Sequence, residues 1–305
     1  MPLLPITSNA TVASCAALPL QPTDVFVTSY PKSGTTWMQH IVHTLVTDGA
    51  SPLAHISEAC PFFEVDRTWS TDKPGELTPA VQANHERLGR RCFNTHLRWE
   101  MMPRNHDGAR YIYMTRKGRD ACLSFFHHLS HQAIEDGGYT GSLEQFVADW
   151  TAGKVPFGSW SAHLKSWMGG GAATDPRVLF VSYEALKADL RGEVLKVVAH
   201  LGLSLGEARV DELLPRFTFE WMRTNEEQFN PRSVRWVPSA EDLARQQAAA
   251  GGEGGGKAEE FHFIRSGQVG EGKRFTAAQD ELFAAMIQRT FPDGAPPYLA
   301  GIADA

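Results

Sequence analysis

The stretch Val25-Phe26-Val27-Thr28-Ser29-Tyr30-Pro31-Lys32-Ser33-Gly34-Thr35-Thr36-Trp37 decides how this chain folds. It opens with an apolar run, Val25 to Val27, whose β-branched and aromatic residues predict a buried strand. Tyr30-Pro31 breaks the run, and Lys32 to Thr36 make a tight turn of small and hydroxyl-bearing residues. From Trp37 to Val46 the apolar residues recur near helical spacing. Strand, small-residue loop and helix in that order aim unpaired N–H groups and a positive dipole end into the loop, where a phosphate fits. Lys32 adds a full charge, and Ser33, Thr35 and Thr36 add side-chain donors. The loop is not a Walker A sequence, which ends in Gly-Lys-Ser/Thr after a longer glycine span. An ordinary corner with a solvated lysine has the same local pattern, so the rest of the chain must decide.

The chain has 305 residues, room for one large α/β domain or two small ones. A net charge of −6 argues against a general nucleic-acid or membrane-surface binder, so an anionic ligand needs a local basic site. Cys15, Cys60, Cys92 and Cys122 are scattered, lack metal-site spacing and read as reduced thiols of a cytoplasmic protein. Residues 1–24 hold no Lys or Arg, so no signal-peptide start is expected. No apolar run is long enough to span a bilayer.

Residues 1–22 read as a weakly structured lead-in and 23–305 as one domain. The irregular stretch 53–90 carries Phe62, Phe63 and Trp69, which suit a pocket wall or packing under a loop equally. Residues 91–96 predict a second strand ending at His96; a strand's carboxyl end is where functional groups collect, although a histidine there is more often structural. Residues 109–115 predict a third strand. It leads into Arg116-Lys117-Gly118-Arg119-Asp120 and a helix over 121–131 that carries Ser124. That is a second anion site, or a solvated basic turn whose Asp120 caps the helix. Helices follow over 142–152 and 158–168, then a strand over 177–183 and one long helix over 184–201. Shorter helical pieces are expected over 206–214 and 217–226, and a last helix over 277–290. Residues 229–260 include the low-complexity run Ala248 to Gly256 and read as a mobile lid. Strands alternating with helices predict an α/β fold, a central parallel sheet with helices on both faces.

Together these segments resemble the cytosolic sulfotransferases that use 3′-phosphoadenosine 5′-phosphosulfate (PAPS), over about residues 24–290. Pro31 to Trp37 matches the family's 5′-phosphosulfate loop. Arg116, Asp120 and Ser124 match its Arg-x-x-x-Asp segment with a following serine, and Arg265 to Gly270 its Arg-Lys-Gly-x-x-Gly element. Asn94-Thr95-His96-Leu97 stands at its Lys-Thr-His-Leu, Tyr183 at its tyrosine, and Phe217 to Met222 at its adenine-side segment. The resemblance implies a fold related to the P-loop kinases and transfer of a sulfuryl group from PAPS to a hydroxyl or amine of a small-molecule acceptor. It implies that Lys32, Ser33, Gly34, Thr35, Thr36 and Trp37 hold the 5′-phosphosulfate. It assigns Arg116, Ser124, Arg265, Ser266 and Gly267 to the 3′-phosphate, and Trp37, Tyr183, Thr218, Phe219 and Met222 to the nucleoside. It makes His96 the general base, with Lys32 and Ser124 at the reacting centre.

The chemistry agrees. A neutral imidazole near its normal pKa suits removal of the acceptor proton, and Lys32 can meet charge growing on the leaving oxygen. The sulfuryl group carries less charge than a terminal phosphoryl group, so no metal is expected. Three departures stand out. Asn94 replaces the family lysine two residues before the base, and Ser266 replaces the lysine of Arg-Lys-Gly. The family's dimer motif survives only as Thr276-Ala277 and Glu281, with Lys273 out of register, so the oligomeric state stays open. A P-loop-type small-molecule kinase and a catalytically silent nucleotide-binding protein are the other readings. Phe62, Phe63, Trp69, Phe125, Phe126 and Trp236 could line an apolar acceptor pocket, while Glu64, Asp66 and Glu135 would favour a cationic acceptor.

Overall fold

In the computed structural model, which describes residues 1–244 and 261–302, Val25–Ser29 forms strand β1 and every residue of it is buried. Alternate side chains leave opposite faces of the strand. Phe26 enters one apolar cluster with Tyr111, Tyr113, Trp150 and Trp160, while Val25 and Val27 enter another with Met38, Ile41, Val42 and Val197. A strand covered on both faces needs no polar alternation, which is why the run is continuously apolar.

In chain order the main elements are α1 (Asn9–Ala17), β1, α2 (Thr35–Val46), α3 (Ile56–Ala59), α4 (Pro79–Leu88), β2 (Cys92–Thr95) and β3 (Arg110–Thr115). They continue with α5 (Gly118–Ser130), α6 (Leu143–Thr151), α7 (Trp160–Met168), β4 (Val178–Ser182), α8 (Tyr183–Ala188) and α9 (Leu190–His200). Last come α10 (Glu207–Leu213), α11 (Phe219–Thr224) and α12 (Ala277–Thr290). The strands form one parallel sheet in the order β2-β1-β3-β4, as the alternation of strands and helices requires. Register sets Val27 beside Asn94 and Ile112, and Met114 beside Val181. All four carboxyl ends therefore share one edge, and Lys32, His96, Arg116 and Tyr183 follow directly from them.

Several expectations need amending. The lead-in 1–22 contains α1, capped by the Ser8 hydroxyl, which accepts from the Thr11 N–H. Leu4, Cys15, Leu18 and Leu20 sink into the core, an anchorage that local periodicity does not display. The long helix over 184–201 is two helices. Its chain breaks at Asp189, whose carboxylate accepts from the Gly192 N–H and starts α9 afresh. The part of the expected lid over 245–260 lies outside the described residues. Its front half is tied down: the Ala133 N–H donates to the Arg235 carbonyl and the Val237 N–H to the His131 carbonyl. The four cysteines are buried and unpaired.

Asp120 is not a helix cap. It is 1% exposed, and its two carboxylate oxygens accept from the Gly270 N–H at 2.8 Å and the Gly272 N–H at 2.7 Å. It clamps the Arg265–Gly272 segment to the start of α5 across 150 residues of chain. Charge-assisted bonds of this kind stabilise by about 1.5–3 kcal/mol each. Asp120→Ala should therefore lower unfolding free energy by about 2 kcal/mol or more in urea titration, and unchanged stability would refute the clamp.

Candidate active site

After β1 the backbone takes two left-handed steps, at Lys32 (φ +64°) and Gly34 (φ +97°). A side chain resists that conformation, so Lys32 holds a strained position of the kind that clusters at ligand sites. Gly34 has no alternative. A Cβ there would lie 2.9 Å from Cδ2 of Tyr183. Gly34 is also the N-cap of α2, and no side chain caps that end, which leaves the N–H groups of the first turn facing the loop. The Ser33 hydroxyl is buried with no partner among the described residues, while the Thr35 and Ser29 hydroxyls bond each other at 2.6 Å.

Two cations face this cradle. Arg116 is nearly buried and lies over the Tyr183 ring at 4.5 Å. It donates to the Lys32 carbonyl at 2.9 Å and the Gln268 carbonyl at 3.2 Å, and its Nε has no partner among the described residues. The Lys32 ammonium stands 4.3 Å from the centre of the Phe263 ring. Desolvation, then the charges of Arg116 and Arg265, pull the Lys32 pKa down to about 7. No Asp or Glu appears among the described residues that line the cavity around them. Uncompensated positive charge beside unpaired N–H groups is an anion site.

His96 follows β2 in the same cavity. Its Nδ1 lies 2.8 Å from the Ser29 carbonyl, which can only accept, so Nδ1 carries the proton and Nε2 is the bare nitrogen. Its backbone is held at both groups. The N–H donates to Glu64 Oε1 at 2.6 Å, and the carbonyl accepts from His163 Nε2 at 2.9 Å. The Tyr113 hydroxyl in turn donates to His163 Nδ1 at 2.8 Å. Phe62 and Phe157 meet the imidazole edge-on at 5.4 and 5.1 Å. The expectation of a near-normal pKa is corrected: burial, then Lys32, lowers it to about 4.

The cavity, of about 380 Å³, is lined by most of the residues singled out from the sequence. Lys32, Gly34, Thr35, Thr36, Trp37, His96, Arg116, Ser124, Tyr183, Phe219, Met222, Arg265, Ser266 and Gly267 all reach it. Ser33 does not line it, and neither does Thr218, whose hydroxyl caps α11 by accepting from the Trp221 N–H. Arg265 pairs with Glu271, and Ser266 accepts from the Gln268 N–H. Gly267 (φ +61°) packs so tightly on Phe219 that a Cβ would come within 2.4 Å of its ring. Asn94 lines the cavity and donates to the Cys60 carbonyl at 2.9 Å, so no cation stands there.

Of the aromatic candidates, Phe62 and Phe125 are wall residues. Phe63, Trp69 and Phe126 belong to the core, and Trp236 packs behind the wall on Phe261 and His128. The three carboxylates face elsewhere. Glu64 is fully buried behind His96, Asp66 holds Thr11 and the Ser8 N–H, and Glu135 pairs with Arg235. His128 and Gln132 also line the cavity and escaped the sequence reading. The four-residue spacing of His128 from Ser124 on α5 is the signal that places His128 there, whereas Gln132 lies past the helix end.

The profile of the family described as "Sulfotransferase domain" matches residues 22–294. The chain belongs to this family. Sulfotransferase 1E1 of Homo sapiens is 30% identical over 273 residues, covering 88% of this chain and 83% of that relative. The amine sulfotransferase of Oryctolagus cuniculus is 29% identical over 279 residues, covering 88% and 81%. Among solved structures, mouse sulfotransferase SULT7A1 complexed with PAP superposes with a TM-score of 0.68 at 23% identity, over 95% of this chain and 92% of that one. Retinol dehydratase, solved with androsterone and PAP, gives 0.69 at 22%, over 94% and 87%. At such identities these two structures speak for the shared fold. No helix among the described residues is long and apolar enough to cross a membrane.

Glu64 gives the sulfotransferase a measurable signature. Burial pushes its pKa up to about 7, against a lower value in the unfolded chain. The folded state therefore binds the extra proton between those values, and stability falls as pH rises through about 7. Glu64→Gln keeps an oxygen for the His96 N–H and removes the titration. Denaturant unfolding between pH 5 and pH 8 should show a flatter profile for the variant than for the wild type; parallel profiles would contradict the assignment.

Proposed function

We propose that this chain transfers the sulfuryl group of PAPS to the hydroxyl of a small neutral or anionic acceptor, with neutral His96 as the general base. One observation carries the reading: the bare Nε2 of His96 shares a cavity with the uncompensated pair Lys32 and Arg116. The residues fit the cofactor. A helix start that no side chain caps, reached through the left-handed Gly34, and two cations without a carboxylate among the described residues lining the cavity are what an anionic nucleotide needs. PAPS supplies the activated sulfuryl group.

Lys32 to Trp37 would hold the 5′-phosphosulfate, and Arg116, Ser124, Arg265, Ser266 and Gly267 the 3′-phosphate. Trp37, Tyr183, Thr218, Phe219 and Met222 would flank the nucleoside. Lys32 offers its charge to the leaving oxygen, where it counts more as negative charge grows. His96 Nε2 accepts the acceptor proton, oriented by Ser29 and pinned by Glu64 and His163. Asn94, in place of a lysine, brings no charge to the cavity. The lining without carboxylates speaks against a cationic amine as acceptor. Intact Lys32 and His96 speak against a silent binding protein, and the early lysine of the loop against an ATP-dependent kinase.

His96→Ala should lower kcat by about 10²–10⁴-fold, the usual effect of removing a positioned proton acceptor, with little change in affinity for the product nucleotide PAP. A variant that melts earlier yet turns over normally would show that His96 is structural.

Lys32 adds a pH test. Its pKa of about 7 in the free protein must rise when an anion binds beside it. PAP binding near pH 8 should then take up a substantial fraction of a proton, measured by calorimetry in buffers of different ionisation enthalpy. Lys32→Met should abolish that uptake, and equal uptake by both proteins would refute the coupling.

A further inference from the structure

Helix α5 runs along the cavity with Ser124 and His128 one turn apart, and Gln132, two residues past the helix end, lines the cavity with them. Four-residue spacing puts Ser124 and His128 on one face of α5, about 6 Å apart along its axis. The result is a polar stripe set in an apolar wall, because Phe125 and Leu129 line the same cavity. The His128 ring is wedged against Trp236 at 5.2 Å and Phe263 at 5.9 Å. Its Nδ1 is buried and has no partner among the described residues. Its neighbour His131 is already engaged, with Asp242 at 2.8 Å. Gln132 is 2% exposed, and its amide nitrogen donates to the Asp136 carbonyl, which orients the group and leaves its oxygen as an acceptor.

Burial, then the charge of Lys32, holds the His128 pKa well below normal, so the ring is neutral. A neutral imidazole offers one donor and one acceptor. Polar groups at an apolar wall are costly unless something bonds them. The sulfuryl-transfer reading gives neither residue a task at the nucleotide or at the base.

We propose that His128, backed by Gln132, selects acceptors that carry a second hydroxyl besides the one that is sulfated: dihydroxy aromatic or alicyclic compounds. The proposal rests on the sulfuryl-transfer reading above. A hydroxyl both donates and accepts, which matches a neutral imidazole and the amide oxygen of Gln132. An ether in the same place can only accept, and leaves that oxygen unpaired. A lost hydrogen bond to a buried partner is worth about tenfold in selectivity.

The test compares hydroquinone, its monomethyl ether and phenol as acceptors with labelled PAPS. The kcat/KM of hydroquinone is halved for its two equivalent hydroxyls. The wild type should prefer hydroquinone over the ether by about tenfold. His128→Phe should bring that ratio close to one, while His128→Gln, which can still donate and accept, should retain most of it. PAP affinity measured on each variant reports that the fold and the nucleotide site are intact. Equal use of diol and ether by the wild type, or an undiminished preference in His128→Phe, overturns the proposal and leaves the transfer reading standing. Failure to sulfate any of the three compounds overturns both.

Discussion

Two cations without a counter-ion among the described residues set the terms for this molecule. Lys32 and Arg116 leave neighbouring strands at the same edge of the sheet, and Arg116 donates to the carbonyl of the very lysine it repels. Like charges held this close with little water raise the energy of the empty site, as the depressed Lys32 pKa records. The arrangement persists because other contacts hold it. β1 and β3 bury side chains on both faces, so neither strand can slip to separate the charges. Tyr183 lies flat under the guanidinium, and Asp120 ties the segment containing Arg265 to the start of α5. The bulk of the fold is thus a scaffold that keeps a positive edge assembled until an anion occupies it.

His96, the proposed base, is held differently. Among the described residues, none supplies a carboxylate to the His96 ring. Instead the ring leans on a carbonyl, and the backbone N–H and C=O are pinned by Glu64 and His163. A carbonyl partner sets the tautomer without adding negative charge, so the imidazole stays neutral and its Nε2 lone pair stays available. Tyr113, two strands away, completes the arrangement through His163. The histidine is therefore positioned by the same sheet that assembles the cations.

Much of this was legible from local sequence. A continuous apolar run, a break, a small-residue loop and a helical period can form few things besides β1, the loop and α2, and order along the chain placed Lys32 and Arg116 at one edge. The bonds that join distant segments were not legible. Asp120 looked like a helix cap because caps are local; its real partners, Gly270 and Gly272, lie far along the chain. Glu64 looked like an acceptor-side charge because exposure cannot be read from a carboxylate's name, and it proved to be buried behind the base. Helix α1 was missed since its apolar residues gain meaning only against a core that forms elsewhere. Asp189 split a helix that apolar spacing alone would continue, because its side chain can replace a backbone bond. His128 was within reach, one helical turn beyond Ser124, but only once the side of α5 facing the cavity was settled.

Electrostatics couples the two halves of the site. Desolvation is the main cause of the low pKa at both Lys32 and His96, and Lys32 adds to the depression at His96. An anion seated at Lys32 leaves the desolvation in place and offsets the charge, so the imidazole beside it becomes more basic than in the empty site. It also restores the charge of the lysine itself. Binding at one side of the cavity therefore favours both proposed roles, Lys32 as the cation for the leaving oxygen and His96 as the base for the incoming one. Acidic side chains in the lining would achieve a similar neutralisation permanently, and would then compete with the anionic ligand for the same cations. Their absence among the described lining residues leaves that neutralisation to a bound anion.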